Sequence, residues 1–100
     1  MAKDLRFSLL LEYYRNLLSD KQAEMLESYY DHDLSLSEIS EIVGMSRQGV
    51  RDTIKRAEQQ LLEYEEKLCL IEKANRLQEL FDKASQTGDY SELGRYINDI

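Results

Sequence analysis

The sequence predicts an all-α fold of about five helices that ends in a long helical arm, and three observations support this. The 100 residues include no proline and only four glycines, so the chain lacks the residues that most often interrupt a helix. Leu and Glu, two strong helix formers, are abundant along the chain. No segment alternates apolar and polar residues with a period of two for long enough to form a strand. The chain is therefore expected to be helical.

Capping boxes mark the starts of three helices. In a capping box, a side-chain oxygen and a Glu or Gln three residues later satisfy amide groups that the first helical turn leaves free. Two such boxes begin at Ser19 and Ser35, and a weaker one begins at Asp89, after the turn-like pair Thr87-Gly88. The predicted helices span about residues 4–18, 20–32, 36–43, 47–85 and 90–98.

The first predicted helix is apolar on more than one face. Its apolar residues are Leu5, Leu9, Leu10, Tyr13, Tyr14, Leu17 and Leu18. A helix that covers one side of a small core needs only a narrower stripe, so we expect this helix to be sandwiched or to pair with a partner. In the second helix, Tyr29 and Tyr30 are interpreted as core and boundary residues, with stacking on nucleic-acid bases as the alternative.

Residues 34–61 contain the pattern of a helix-turn-helix. Leu36, Ile39 and Val43 form one apolar stripe on a short helix, which ends where Gly44 can adopt the left-handed backbone conformation. Met45 is expected to fill the turn as a buried plug, and Ser46 to cap the next helix. That helix returns to the same core through Val50, Ile54, Ala57 and Leu61. In this arrangement the first helix braces the second, whose N-terminal residues can enter a major groove.

The exposed face of the fourth predicted helix is expected to be basic. Its candidate nucleic-acid-binding residues, which we call the basic ridge, are Arg47, Gln48, Arg51, Lys55 and Arg56. Residues 47–56 have a net charge of +3 in a chain of net charge −7, so the other ninety residues carry −10. Arg and Gln suit contacts with base edges, Lys and Arg neutralise phosphates, and the helix dipole adds positive potential. The alternative is a solvated face whose basic groups pair with neighbouring Glu side chains.

Two family resemblances follow from these motifs. Residues 18–61 resemble the region 4 helix-turn-helix of sigma-70-type sigma factors, through an entry helix, an aromatic pair and the segment LSLSEISEIVGMS at 34–46. Over about the first 70 residues the chain resembles the YlxM family more closely. The matching segments are LLEYYRNLLSDKQ at 10–22, YYDHDLSLSEISE at 29–41, GMSRQGVRDTIKRAE at 44–58 and LLEYEEKL at 61–68. The resemblance implies a bacterial, cytoplasmic helix-turn-helix protein linked to the signal recognition particle pathway.

Two residues depart from a plain duplex-binding helix. Gly49 lies in the first turn, where glycine lowers helix stability by about 1 kcal/mol relative to alanine and can permit close approach of a partner. Asp52 places a negative charge on the face that would meet phosphates. Both features weaken the case for simple promoter binding.

The fourth predicted helix continues to about residue 85, which makes it about 60 Å long at roughly 1.5 Å per residue. Its apolar residues alternate three and four apart from Ile54 to Ile71, the spacing of a coiled coil. In the distal half of this helix, where Asn75 occupies a core-type position, a second face opens, formed by Leu70, Ala74, Leu77, Phe81 and Ala84. We predict a homodimer, with packing on the chain's own body or on another protein as alternatives. The last helix is expected to fold back on the arm, and a break near residues 69–72 is the alternative to a continuous helix.

Composition argues against several classes of protein. A single cysteine, Cys69, cannot form an internal disulfide, which indicates a reducing, cytoplasmic location. No apolar run approaches membrane length, and no signal-peptide pattern opens the chain. His32 stands alone, and the sequence contains neither a Ser/His/Asp or Cys/His set nor a glycine-rich phosphate loop. No catalytic residue, metal or cofactor is therefore predicted, and the protein is expected to be non-enzymatic.

The sequence thus predicts a helix-turn-helix domain at residues 1–62 and a helical arm with a C-terminal helix at 63–100, used for dimerisation or partner binding. The predicted function is regulatory binding of duplex DNA or structured RNA by the basic ridge. The alternative is a protein-interaction module that docks on a signal recognition particle component without binding DNA, which the acidic body favours.

Overall fold

The computed structural model describes residues 3–100, and all regular structure in that range is helical. Six α-helices follow one another there: α1 Arg6–Tyr14, α2 Asp20–Leu26, α3 Leu36–Val43, α4 Arg47–Leu68, α5 Leu70–Thr87 and α6 Ser91–Asp99. A 3₁₀ turn, Arg15–Leu17, follows α1, and a π-helical turn, Glu27–Asp31, follows α2. The all-α prediction is confirmed. The sixth helix arises because the predicted long helix is broken.

The capping boxes at Ser19 and Ser35 are formed as predicted. The backbone amides of Gln22 and Glu38 donate to the hydroxyls of Ser19 and Ser35 at 3.2 and 3.1 Å. In return, the side chains of Gln22 and Glu38 accept from the backbone amides of the two serines. The third predicted box is wrong, because α6 begins at Ser91. There Asp89 Oδ1 accepts from the Ser91 amide at 3.0 Å, which forms a turn before the helix.

The second predicted helix changes its winding before it ends. After α2 the chain widens into the π-helical turn, where the His32 amide donates to the carbonyl of Glu27, five residues earlier, at 3.0 Å. Such a turn contains one residue more than an α-helical turn of the same rise. Residues 27 and 31 and the two tyrosines between them consequently point to positions that a regular helix would not offer.

The first compact unit comprises the chain up to Lys67 and contains the main core. Buried apolar side chains from four helices and the turn after α1 form this core, namely Phe7, Leu10, Leu11, Tyr14, Leu18, Ala23, Met25, Leu26, Ile39, Val50, Ile54, Ala57 and Leu61. The four α4 residues predicted to return to the core are all buried. In contrast, Val43 at the end of α3 is 40% exposed, so the α3 stripe supplies one fully buried side chain, Ile39.

One predicted continuous helix is two helices in the structure. α4 ends at Leu68, and Cys69 has φ 55° and ψ 33°, in the left-handed region. A non-glycine residue occupies this region at a cost of roughly 1–2 kcal/mol, and its left-handed backbone interrupts the right-handed winding between α4 and α5. The prediction of an unbroken helix to residue 85 was wrong, and the alternative of a break near residues 69–72 is confirmed.

The second compact unit is a helical hairpin of residues 68–100. Gly88, with φ 79°, ends α5, and α6 folds back on α5 as predicted. Leu80 and Ala84 are the buried side chains of the hairpin, and Lys83 pairs with Glu92 at 3.1 Å. None of the helices of residues 3–100 combines the length and apolar character that crossing a bilayer requires.

Candidate nucleic-acid interface

The turn between α3 and α4 fixes how α4 leaves the core. Gly44 ends α3 with φ 72° and ψ 27°, and its amide donates to the Ser40 carbonyl at 3.0 Å. The Ser40 hydroxyl donates to the Met45 carbonyl, and the Ser46 hydroxyl accepts from the Gly49 amide at 3.0 Å. These bonds satisfy polar groups at both helix ends, which holds the two axes at a defined angle.

Contacts within the chain itself explain why position 49 is a glycine. A Cβ at this position would lie 3.1 Å from the Ser46 hydroxyl oxygen and 3.4 Å from the terminal methyl of Met45. The first of these is tighter than ordinary contact, and the oxygen is held by its capping bond. The glycine therefore allows the cap and the half-buried Met45 to pack against the first turn of α4.

The basic ridge lies opposite the buried face of α4. All five of its side chains, at 47, 48, 51, 55 and 56, are exposed, whereas Val50, Ile54 and Ala57 between them are buried. No carboxylate among residues 3–100 lies within 4.0 Å of its four cationic groups. The ion pairs with neighbouring Glu side chains that the alternative includes are therefore not formed in the described part of the chain.

Two ridge positions are linked by a hydrogen bond along the helix. The Gln48 side-chain amide donates to Asp52 Oδ1 at 2.9 Å. This bond orients the Gln48 amide and occupies one of its two N–H donors. Asp52 remains exposed, so its negative charge stands among the basic groups, as the sequence predicted.

A groove of about 350 Å³ runs beside the ridge. Its lining includes Arg51 and Lys55 of the ridge, Tyr29 and Tyr30 of the π-helical turn, and Lys3, together with the carboxylates of Asp4 and Glu58. Lys3 Nζ donates to the carbonyls of Tyr29 and Leu34 at 2.6 and 2.8 Å, and it lies 3.9 Å from the centroid of the Tyr29 ring. Lys3 thus ties the N-terminal segment to the loop before α3. Sequence reasoning missed Lys3, because it belongs to no motif.

The two tyrosines of the π-helical turn are packing residues, as predicted. Their rings meet edge to face with centroids 5.0 Å apart, and Phe7 lies 5.6 Å from Tyr30. The Tyr30 hydroxyl donates to Glu58 of α4. Burial and this bond raise the pKa of Tyr30 above its ordinary value of 10.0, so the phenol is a neutral donor at physiological pH.

A short helix, a tight turn that begins at Gly44 and a capped second helix that presents a basic ridge define the chain as an all-helical helix-turn-helix protein. Comparison with known proteins agrees with this class. Residues 1–98 match the model of the UPF0122 family, described as "Putative helix-turn-helix protein, YlxM / p13 like". The chain belongs to this family, so the resemblance inferred from the sequence is confirmed.

Several curated relatives from bacteria bear the same family name. A UPF0122 protein of Caldanaerobacter subterraneus subsp. tengcongensis is 48% identical over 87 residues, with 86% of this chain and 74% of the relative covered. One from Bacillus cereus strain AH187 is 45% identical over 86 residues, which are 86% of this chain and 78% of the relative. A third, from Thermoanaerobacter sp. strain X514, is 50% identical over 76 residues, which are 76% of this chain and 65% of the relative.

Proposed function

We propose that this protein is a non-enzymatic regulatory protein, located in the bacterial cytoplasm, that binds duplex DNA or structured RNA through the basic ridge. One observation carries the proposal: four cationic side chains are exposed on the outer face of a braced, capped helix, with no carboxylate partner in residues 3–100. Unpaired basic groups on one helix face are the electrostatic footprint of phosphate binding.

The ridge divides naturally between two kinds of contact. Arg47, Gln48 and Arg51 occupy the first turns of α4, where the helix dipole is positive and where a recognition helix reaches base edges. Lys55 and Arg56 lie a turn further on and would contact the flanking phosphates. The likeness of residues 18–61 to sigma region 4 supports the same docking geometry.

Arg51→Glu tests this proposal. Fluorescence anisotropy with a labelled mixed-sequence DNA duplex and, separately, a labelled RNA hairpin should show binding weakened by about tenfold, with a salt slope less steep by about one. The matched control is Lys73→Glu, an exposed residue of α5 with the same charge change, which should bind like the parent chain. Equal loss in both variants, or unchanged binding by Arg51→Glu, contradicts the proposal. The stronger of the two titrations identifies the nucleic acid.

We further propose that residues 63–100 form the dimerisation arm. The hairpin of α5 and α6 leaves Phe81, Ile97 and Ile100 about half exposed, and a groove of about 340 Å³ between its helices is lined mostly by apolar side chains. A second copy would cover this surface and set two helix-turn-helix units side by side. Sedimentation velocity tests the dimer, and Phe81→Lys is expected to shift it to monomer.

A second candidate function is docking on a component of the signal recognition particle, its protein or its RNA, as the family resemblance implies. The specific observation in its favour is the charge of −10 outside residues 47–56, which suits a basic protein surface. Titration against the purified particle protein and the particle RNA separates the two candidates. Binding to the protein that survives Arg51→Glu, without affinity for free duplex DNA, favours this second function.

A further inference from the structure

α1 carries an apolar stripe on the side that faces away from the core. Leu5, Leu9, Tyr13 and Leu17 follow one another at four-residue intervals, so they lie along one side of the segment. All four are exposed, Leu5 by 72% and Leu17 by 52%, while Leu10, Leu11 and Tyr14 are buried. The two faces of α1 foreseen in the sequence are therefore real, and the outer one is uncovered in the single chain.

A groove of about 470 Å³ begins at this stripe. Leu5, just before α1, and Leu9 and Glu12 of α1 line it, and the π-helical turn contributes Glu27 and Asp31. We call this feature the acidic groove. It shares no lining residue with the groove beside the basic ridge, to which the same turn contributes Tyr29 and Tyr30.

The charged side chains at the rim of the acidic groove are mostly negative. Arg15 is its one basic lining residue, and it is already paired with Glu27. The hydrogen bond with Glu27 raises the pKa of Arg15, and the nearby carboxylates of Asp20 and Glu24 raise it further. Glu12 and Asp31 are exposed and make no ion pair within residues 3–100. An apolar floor with an acidic rim repels phosphate and suits an apolar ligand that carries positive charge.

We propose that the acidic groove docks a basic amphipathic helix of a different protein. A helix of this kind places its apolar stripe on Leu5 and Leu9 and its Lys or Arg side chains beside Glu12 and Asp31. The inference deepens the second candidate function, because it assigns the partner-binding surface and the chemistry of the partner segment.

A second copy of the chain does not offer such a segment. Within residues 3–100 the strongly basic stretch of helix is 47–56, and its apolar side chains Val50 and Ile54 are buried in the core. The exposed apolar residues of α5 and α6 stand in a unit, 68–100, whose net charge is −2. Like charges would therefore face one another in a contact between that unit and the acidic groove, which argues for a foreign, basic partner.

The test uses a labelled Leu/Lys peptide of about 18 residues, five helical turns, with all Leu on one face. A peptide of the same composition in scrambled order has no apolar face. Fluorescence anisotropy with the full chain should show saturable binding of the first peptide and at least about tenfold weaker binding of the second, because the stripe supplies the apolar contact.

Charge-reversed variants locate the site. Glu12→Lys with Asp31→Lys should weaken peptide binding by about tenfold, and Leu5→Glu should weaken it similarly. The matched control reverses two exposed carboxylates outside the groove, Glu41→Lys with Glu63→Lys, and should change binding less than about twofold. Circular dichroism verifies that each variant is folded.

Three results overturn the inference: equal binding of the scrambled peptide, equal weakening by the control variant, or a dimer that Leu5→Glu dissociates without affecting the peptide. The last result would assign the stripe to a second copy. Nucleic-acid titrations with the same variants keep the proposals separate, because groove variants should retain DNA or RNA binding and Arg51→Glu should retain peptide binding. Absence of peptide binding in a chain that still binds its nucleic acid overturns only the groove.

Discussion

At the scale of single residues, the interface depends on small groups that set the path of the chain. Gly44 adopts a left-handed conformation that ends α3, and Ser46 caps α4 two residues later. Gly49 leaves room for that cap and for Met45. Each of these residues sets the path of the backbone at the turn. As a result, the basic ridge projects outward while Val50 and Ile54 point inward.

The charge of Asp52 is expected to weaken nucleic-acid binding, so Asp52→Asn should strengthen it. Two unit charges about 7 Å apart in water interact by about 0.6 kcal/mol, which corresponds to about a threefold gain in affinity. Asparagine can still accept the bond from Gln48, so the ridge keeps its geometry. Anisotropy titrations with DNA and RNA measure the gain.

The chain contains its own matched control for this experiment. On α5, Gln78 donates to Asp82 at 2.8 Å, which is the same pair of residue types at the same spacing. Asp82→Asn makes the same chemical change outside the ridge and should leave affinity unchanged. A similar gain in both variants would mean that net charge alone, and not the position of Asp52, governs binding.

At the scale of elements, α3 depends on its capping box for a defined start. The Ser35 amide donates to Glu38 at 3.0 Å, and this bond, more than any other, lowers the pKa of Glu38 below its ordinary value of 4.5. Because the pKa is lower in the folded chain than in the unfolded one, the stabilisation is complete above the ordinary value. It is lost as the pH falls through the folded value.

Glu38→Gln should therefore lower the Tm at pH 7 and lose this effect as the pH falls through the folded pKa of Glu38, below which both chains present a neutral side chain at this position. Thermal melts monitored by circular dichroism at successively lower pH measure this convergence. The control is Glu41→Gln, an exposed residue of the same helix that makes no side-chain hydrogen bond within residues 3–100. A Tm difference between parent and Glu38→Gln that does not narrow as the pH falls would contradict the assignment.

Elements with a chemical start or stop signal were predictable from the sequence. The limits of α3 were predicted correctly from Ser35, Glu38 and Gly44. The two side chains of the capping box, and the absence of a side chain at Gly44, act on the neighbouring backbone, so their effect can be read from the local sequence. The break at Cys69 offered no such signal, since cysteine has no preference for the left-handed region. The π-helical turn was equally hidden, because its residues also suit a regular helix and only tertiary packing around Tyr30 distinguishes the two.

The candidate site divides in the same way. The basic ridge followed from the phase of the apolar stripe in α4, so all five of its residues could be named from the sequence. Lys3 and Glu58 could not, because their contacts with Tyr29 and Tyr30 join segments that lie 26 and 28 residues apart. The acidic groove likewise needs the approach of α1 to the π-helical turn, which no local pattern encodes.

At the scale of the whole molecule, charge is separated by element. The ridge segment has +3 and the remaining residues −10, so the two proposed partners, nucleic acid and a basic protein, would be directed to different surfaces. The acidic body also lowers affinity for arbitrary nucleic acid, since phosphate is repelled wherever the ridge does not face it. Binding should accordingly depend on how well a target fits the ridge.

The two units are expected to differ in local stability. In the unit of residues 68–100 only Leu80 and Ala84 are buried, so amides of α6 should exchange with deuterium at least about tenfold faster than those of residues 54–61 in α4. If the arm joins two copies, protection of α5 and α6 should rise between about 1 µM and about 100 µM protein, while α2 stays unchanged. Exchange in α6 that is slow at both concentrations would contradict the small core. Protection without concentration dependence would exclude a dimer through the arm.

The additional residue in the π-helical turn has a consequence for sequence change. Deleting one position between 27 and 31 would restore an ordinary α-helical turn of the same rise, so the side chains within the turn would point in new directions. The turn could then no longer form both the ion pair between Glu27 and Arg15 and the hydrogen bond between Tyr30 and Glu58. A shortened chain would keep one of these two anchors, and with it one flank of the turn, so insertions and deletions here should be far more damaging than substitutions.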